Sequence, residues 1–226
     1  MVKRKLDIDL DNQKVLHFLN LAFSDYLASR FLLNNCFLEH GCMLASTAVE
    51  KYIKSVIGIY GISNQSHLSP ALFRLLQHNV PELYEDLNID FLKFLEKSFK
   101  LRYALTNSAG LSIVINQYKT LLELDQLVHK LECGLGIIVN GEKIPTPYQS
   151  AIKENNEKLL FNNIPLDHAE FPKFVRQLNK IMELKIEDNF NVIRAEYETD
   201  GVNLATAFMQ KPELSMYKQE FKLTLG

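Results

Sequence analysis

The sequence has no large excess of either charge and only three cysteines. Its 25 basic and 27 acidic residues leave a formal net charge of −2, and so weak a field does not attract a phosphate backbone over the whole surface. Any contact with a nucleic acid therefore has to come from a local patch. Cys36, Cys42 and Cys133 are odd in number and form no C-x-x-C pair, so we expect reduced thiols that pack as small apolar groups.

No stretch of the sequence approaches the ~18 consecutive apolar residues that a membrane-spanning helix needs. The basic start, Met1 to Asp7, is not followed by an uninterrupted apolar segment, so no secretory signal is expected. With 47% hydrophobic and 23% charged residues, the 226-residue chain has the composition of a globular protein with a buried core. We expect a cytoplasmic protein that does not enter a membrane.

The patterns of several well-defined sites are also missing. The six histidines include no His-Glu-x-x-His pair, and His67 and His78 have no cysteine or carboxylate partner at ligand spacing. The glycine-rich phosphate loops G-x-G-x-x-G and Gly-Lys-Ser/Thr do not occur, and neither does Gly-x-Ser-x-Gly. We therefore expect neither a metal nor a cofactor.

Apolar residues recur at helical spacing through the first half of the chain. A first helix is predicted between a cap at Asp11-Asn12 and a stop at Asn34-Asn35. Further helices are predicted over residues 36–60, 70–79, 88–105 and 111–131, with Pro81 closing the third. Because the loops are mostly short, sequential antiparallel packing is the economical arrangement.

The character of the sequence changes after Cys133. Asn140-Gly141 lies between β-branched residues and favours a type I′ turn, which predicts a hairpin over Leu135 to Thr146. Helices are predicted over 147–161 and 169–184, and the tail from 190 to 225 mixes strand-like and helical patterns. The predicted fold is mainly α, an antiparallel up-and-down bundle over residues 1–133 with a smaller α+β extension over residues 134–226.

Three segments of the first half resemble HEPN domains, the higher-eukaryote and prokaryote nucleotide-binding domains. The segments are Asp25 to Asn35 on the first helix, Gly41 to Lys54 with its A-V-E-K-x-x-K pattern on the second, and Phe91 to Tyr103 with its basic ending on the fourth. The resemblance covers roughly residues 13–133.

The resemblance implies a helical bundle, commonly a homodimer, with a polar groove that binds nucleotides or RNA or cuts RNA. Many members are toxins or partners of nucleotidyltransferases. Members that cut RNA carry Arg-x(4–6)-His, whereas Arg102 is followed by no histidine in that window and Asn107 stands in its place. An asparagine does not shuttle a proton near neutral pH, so we expect a non-catalytic protein that binds a nucleotide, RNA or a partner protein.

The resemblance places five candidate residues around the groove: Arg30, Glu50, Lys54, Arg102 and Asn107. For Arg102, recognition of a phosphate or base competes with a structural pair to a carboxylate such as Glu50. For Arg30 the alternative is an interhelix or dimer salt bridge. Glu50 and Lys54 are one turn apart in the favourable order, which also fits a solvated surface pair.

Two other functions remain open at this point. The first is a divergent ribonuclease that recruits a histidine from elsewhere, such as His129 or one from a second subunit. The second is a purely structural protein-interaction module without a small ligand.

Overall fold

The structure is a computed structural model, and it describes residues 10–63, 66–103, 110–133, 135–139, 142–187 and 192–212. Asn107 and the predicted turn residues Asn140-Gly141 lie outside these ranges. So do the predicted helix end at 104–105 and the last part of the tail, 213–226.

The first two helices, α1 (Leu10–Asn34) and α2 (Leu38–Gly58), confirm two of the predicted helices and pack along their whole length. Ser29 donates a hydrogen bond to the carbonyl of Gly41, and Asp25 pairs with Lys51 at 2.6 Å. The residue numbers of the contacting positions rise along α2 as they fall along α1, so the two helices are antiparallel. A Cβ atom at Gly41 would lie 2.8 Å from Leu33 Cγ, so the two helices can approach this closely because residue 41 is glycine.

Three more helices follow, and the last of them, which was the fourth predicted helix, ends in a turn beside α2. Helix α3 (Pro70–Asn79) has the predicted bounds, with Ser69 as its cap. Pro81 does not only close α3; it also begins the short helix α4 (Pro81–Glu85), since proline is favoured in a first helical turn. Helix α5 (Ile89–Phe99) starts at an Asn88 cap and tightens into a 3₁₀ turn, Lys100–Tyr103.

The fifth helix was predicted to begin at residue 111, but the observed helix begins at Gln117. Residues Ser112–Asn116 form strand β1, and helix α6 (Gln117–Cys133) follows it directly. Ile113 and Ile115 are buried while Ser112, Val114 and Asn116 are half-buried, so the local pattern has the period of two that belongs to a strand. The β-branched residues of this segment favour that conformation.

The second half begins with the predicted hairpin, β2 (Ile137–Val139) paired antiparallel with β3 (Glu142–Ile144). The predicted helix over 147–161 is broken into α7 (Pro147–Lys153) and α8 (Glu157–Leu160). Asn155 lies between them with a φ of 53°, a left-handed conformation that interrupts a helix and that asparagine tolerates.

The helix predicted over 169–184 is wrong for most of its length. A 3₁₀ turn (His168–Glu170) and the short helix α9 (Phe171–Phe174) are followed by strand β4 (Leu178–Ile186). The apolar spacing of this segment suits either structure, and pairing on both sides decides in favour of a strand. β4 pairs antiparallel with β1 on one side and with β5 (Val192–Asp200) on the other.

The protein is mainly helical with a small three-stranded antiparallel sheet, which confirms the coarse fold class. β1 comes from the first half of the chain and β4 and β5 from the second, and buried residues of both halves belong to one hydrophobic core. The division into domains at residue 133 stays a prediction. Across the described ranges, the helices lack the combined length and apolar character that a membrane span needs.

Candidate ligand-binding surface

The 3₁₀ turn after α5 holds Arg102 against the side of α2. Its Nη2 donates to the Oγ1 of Thr47 and, at 3.3 Å, to the carbonyl oxygen of Met43. The guanidinium carbon lies 4.6 Å from the centre of the Phe99 ring, within the range of a cation–π contact. The side chain is thus exposed yet oriented by three neighbours.

Two further rings lie against Phe99. The ring centres of Phe99 and His67 are 5.0 Å apart with an interplanar angle of 30°, and those of Phe99 and Tyr103 are 6.1 Å apart. His67 reaches this position from the loop before α3. We call the following set the basic aromatic surface: His67, Lys97, Phe99, Lys100, Arg102 and Tyr103.

The surface is positively charged. Partial burial lowers the pKa of Lys97, and the nearby ammonium of Lys100 lowers it further. The second effect shows that the two ammonium groups lie near each other, and clustered positive charge favours an anion. In the described part of the chain, neither Lys97 nor Arg102 forms an ion pair with a carboxylate.

Glu50 and Lys54 border the same surface. Their carboxylate and ammonium are 2.7 Å apart, which confirms the pairing across one turn, but both side chains are only 11% exposed and so are not a solvated pair. Glu50 Oε2 also accepts the backbone N–H of Leu68 at 3.0 Å and lies 3.5 Å from His67 Nδ1. Glu50 therefore fixes the loop that presents His67 to Phe99.

Three of the predicted site residues, Glu50, Lys54 and Arg102, are thus connected through His67 and Phe99. Arg102 does not use Glu50 as its partner; its acceptors among the described residues are neutral oxygens. Asn107 lies outside the described residues. His67 and Tyr103 were not predicted as site residues, since contacts made through space leave no signal at fixed spacing.

Arg30 lies elsewhere, in the interior. It forms an ion pair with Asp125 of α6 through Nη1 and donates from Nη2 to the carbonyl of Phe161. Tyr26 donates to the second oxygen of Asp125 at 2.8 Å. Burial opposes the charge of Arg30, but Asp125 and Tyr26 outweigh it and raise the pKa of the guanidinium. The structure therefore shows the interhelix salt bridge that was the alternative for this residue.

His129, the histidine suggested for a ribonuclease, has contacts with other residues. Its Nδ1 lies 3.0 Å from the hydroxyl of Tyr148, and its Nε2 lies 3.4 Å from Cys133 Sγ. Neither contact involves the basic aromatic surface.

A buried acid that the sequence did not single out lies one residue before Cys133. Glu132 Oε2 accepts a hydrogen bond of 2.6 Å from Thr146, the cap of α7, and the backbone carbonyl of Glu132 accepts one from Gln149. Burial raises the pKa of Glu132 to about 7, although the hydrogen bond from Thr146 lowers it. The capping box of Thr146 and Gln149 has a sequence signature, but its buried carboxylate partner has none.

Comparison with known proteins gives little further information. No family model matches the chain, and no solved structure matches it. A phosphoglucomutase from Staphylococcus saprophyticus subsp. saprophyticus is 27% identical to it over 157 residues, which is 69% of this chain and 26% of that protein. The chain therefore spans about a quarter of the length of the curated relative that it matches.

Replacing Asp125 by asparagine is expected to destabilise the fold strongly. The substitution keeps the shape but leaves the buried Arg30 charge without a counter-charge, which typically costs about 3–5 kcal/mol. Urea unfolding followed by circular dichroism measures the loss. Asp90→Asn is the matched control, because the Asp90–Lys93 pair is exposed and its loss changes stability by less than about 1 kcal/mol. Equal stability of the two variants would contradict a structural role for the buried pair.

Glu132 is expected to make stability fall as pH rises. Its folded pKa of about 7 exceeds the ordinary 4.5, so the protonated acid stabilises the fold below 4.5 and this contribution is lost as pH rises through 7. The shift corresponds to about 3 kcal/mol. Thermal unfolding at acidic and mildly alkaline pH measures it.

Glu132→Gln should remove this slope and be more stable than the natural protein at mildly alkaline pH, because the amide oxygen still accepts from Thr146. Glu157→Gln, at an exposed position, should keep the slope. A Glu132→Gln variant with an unchanged pH profile would show that another group is responsible.

Proposed function

We propose that this chain is a non-catalytic binding protein that holds a nucleotide or a segment of RNA on the basic aromatic surface. The observation that carries the proposal is the state of Arg102. It is exposed, oriented by Thr47 and Phe99, and without a carboxylate partner among the described residues.

The chemistry of the arginine suits a phosphate group. A guanidinium presents five N–H donors in a fixed fork, and it binds phosphate oxygens in pairs. Among the described residues, Arg102 donates through Nη2 alone, so Nε and Nη1 have no described acceptor and can bind an anion. Lys97 and Lys100, whose ammonium groups lie near each other, precede it on the same helix and 3₁₀ turn and add positive charge to this segment.

The aromatic residues suit a base. Tyr103 is 49% exposed at the end of the 3₁₀ turn, and exposed aromatic rings beside basic residues stack nucleobases with little dependence on sequence. A compact site of this kind fits a nucleotide or a short single strand better than a duplex, because the chain as a whole has a net charge of −2.

The resemblance to HEPN domains supports the same ligand class, because Glu50, Lys54 and Arg102 all lie in the segments that carry it. A homodimer, a nucleotidyltransferase-type partner and a role as a toxin follow from that resemblance; these and the cytoplasmic location expected from the sequence stay predictions. The similarity to phosphoglucomutase adds glucose phosphate to the ligands worth testing, and it supports no activity, because so small a part of that protein is matched.

Arg102→Gln is expected to weaken binding of a fluorescently labelled short single-stranded RNA, or of ATP, by about tenfold or more. The loss of one charge-assisted contact to phosphate corresponds to about 1.5–3 kcal/mol. Fluorescence anisotropy measures the RNA, and a thermal-shift assay measures ATP, since a ligand at 100 times its Kd stabilises by about 2.7 kcal/mol.

Arg176→Gln is the control, because Arg176 is exposed and lies outside this surface. Glucose phosphate, tested in the same way, separates recognition of a bare phosphate from recognition of a nucleotide. If none of these ligands binds the natural protein, the proposal fails and a protein-interaction module becomes the better account.

Ribonuclease activity is a second candidate because the structure brings His67 close to the Phe99 ring on which Arg102 lies. A histidine can move the proton of a ribose hydroxyl while an arginine stabilises the charge of the phosphate. Labelled RNA incubated with concentrated protein tests this, with His67→Ala alongside. Cleavage that disappears in the variant would establish the activity, and intact RNA would remove this candidate.

A further inference from the structure

The segment that follows β5 leaves the sheet and crosses to the helices. We call residues 201–208 the strap. The N–H of Val202 donates to the carbonyl of Val175 at 2.8 Å, and within the described ranges this is the backbone–backbone hydrogen bond that joins the strap to the rest of the chain. Residues 203–208 are therefore held by side chains.

Lys119, on the first turn of α6, holds the backbone of the strap. Its ammonium donates to the carbonyl of Leu204 at 2.8 Å and to that of Thr206. It also lies 4.7 Å from the ring centre of Phe208. One cation thus contacts two alternate carbonyls and an aromatic ring two residues further on, in a segment that turns at Leu204 and Ala205.

Phe208 anchors the end of the strap on α5. Its ring centre lies 4.9 Å from that of Phe91 and 5.2 Å from that of Phe94. Phe208 as a whole is only 7% exposed. Tilted aromatic contacts of this kind stabilise beyond the area that they bury. Without Phe208, two apolar rings of α5 would face water.

The ammonium of Lys119 is itself nearly buried, with the residue 6% exposed. A buried ammonium is costly unless it is hydrogen-bonded, and the acceptors that Lys119 has include the two strap carbonyls. Without the strap the ammonium would lose these two acceptors and the rings of Phe91 and Phe94 would lose their cover, and a peptide that offers backbone carbonyls and an aromatic ring restores both sets of contacts.

The start of the strap has the geometry of a hinge. Gly201 has a φ of +77°, and a Cβ atom there would lie 2.9 Å from the carbonyl oxygen of Val175. Glycine takes such a conformation, and others, at little cost. The direction in which the strap leaves β5 is thus set by one residue with conformational freedom.

From these contacts we propose that Lys119, Phe91 and Phe94 form a peptide-binding site, occupied by the chain's own strap, that also takes the strap of a second copy of this chain. The contacts that hold residues 203–208 are the same within one molecule and between two. Exchange in both directions makes a closed two-fold dimer. Within one molecule the strap has the advantage of a high effective concentration, so the exchanged form is favoured at high protein concentration.

A labelled peptide of residues 201–212 tests the site in the full-length protein. The natural protein should bind it weakly because its own strap competes, and Phe208→Ala should bind it at least about tenfold more tightly because that strap has lost its anchor. Adding Lys119→Met to Phe208→Ala should abolish binding. Lys173→Met, at an exposed position in an exposed pair, is the matched control and should leave binding unchanged.

Phe208→Leu replaces Phe208→Ala if the latter does not fold, as judged by circular dichroism. No binding to a folded anchor variant, or equal binding to all variants, would overturn the proposal. Because Arg102 takes no part in these contacts, Arg102→Gln should bind the peptide as its parent does. The strap site and the proposed phosphate ligand can therefore fail separately.

Light scattering tests whether two copies of the chain exchange their straps. Protein refolded at high concentration should contain a dimer that is absent from Phe208→Ala. A monomer at every concentration would overturn the exchange. A dimer that persists in Phe208→Ala would also overturn it, because that dimer forms through another surface, such as the one expected from the resemblance to HEPN domains.

Discussion

The arrangement of the helices depends on the buried ion pair between Arg30 and Asp125. A guanidinium that is 1% exposed has to find acceptors inside the protein. It finds them on α6 and at the carbonyl of Phe161, which lies just after α8. Three segments far apart in the sequence must therefore meet at one place, and α1 cannot take up its position without the second half of the chain.

The two arginines that the resemblance to HEPN domains placed at the groove therefore have opposite roles. Arg30 uses its charge inside the fold, where Asp125 neutralises it. Arg102 is oriented by the neutral oxygens of Thr47 and Met43, which fix its direction and leave its charge in place. What distinguishes a structural arginine from a candidate binding residue is therefore the acceptor that it meets.

The sequence predicted features that depend on near neighbours and missed those that depend on distant ones. Helix α3 has its predicted bounds because Ser69 and the proline after it form a local signal, and the Glu50–Lys54 pair is one turn apart. Strand β4 was predicted as a helix because its local pattern fits both structures. Its pairing with β1 and β5 makes it a strand. The burial of Arg30 and the approach of His67 to Phe99 also depend on partners that no spacing rule identifies.

The pairing of β1 with β4 has a consequence for how the protein is made. Ser112 pairs with Lys185 and Asn116 with Ile181, so β1 has no partner until residue 186 has left the ribosome. During that interval the nascent chain carries a strand segment with an open edge. Such edges pair readily with other chains. The helices of the first half can form as they emerge, but the edge of β1 that pairs with β4 is covered only once β4 has been synthesised.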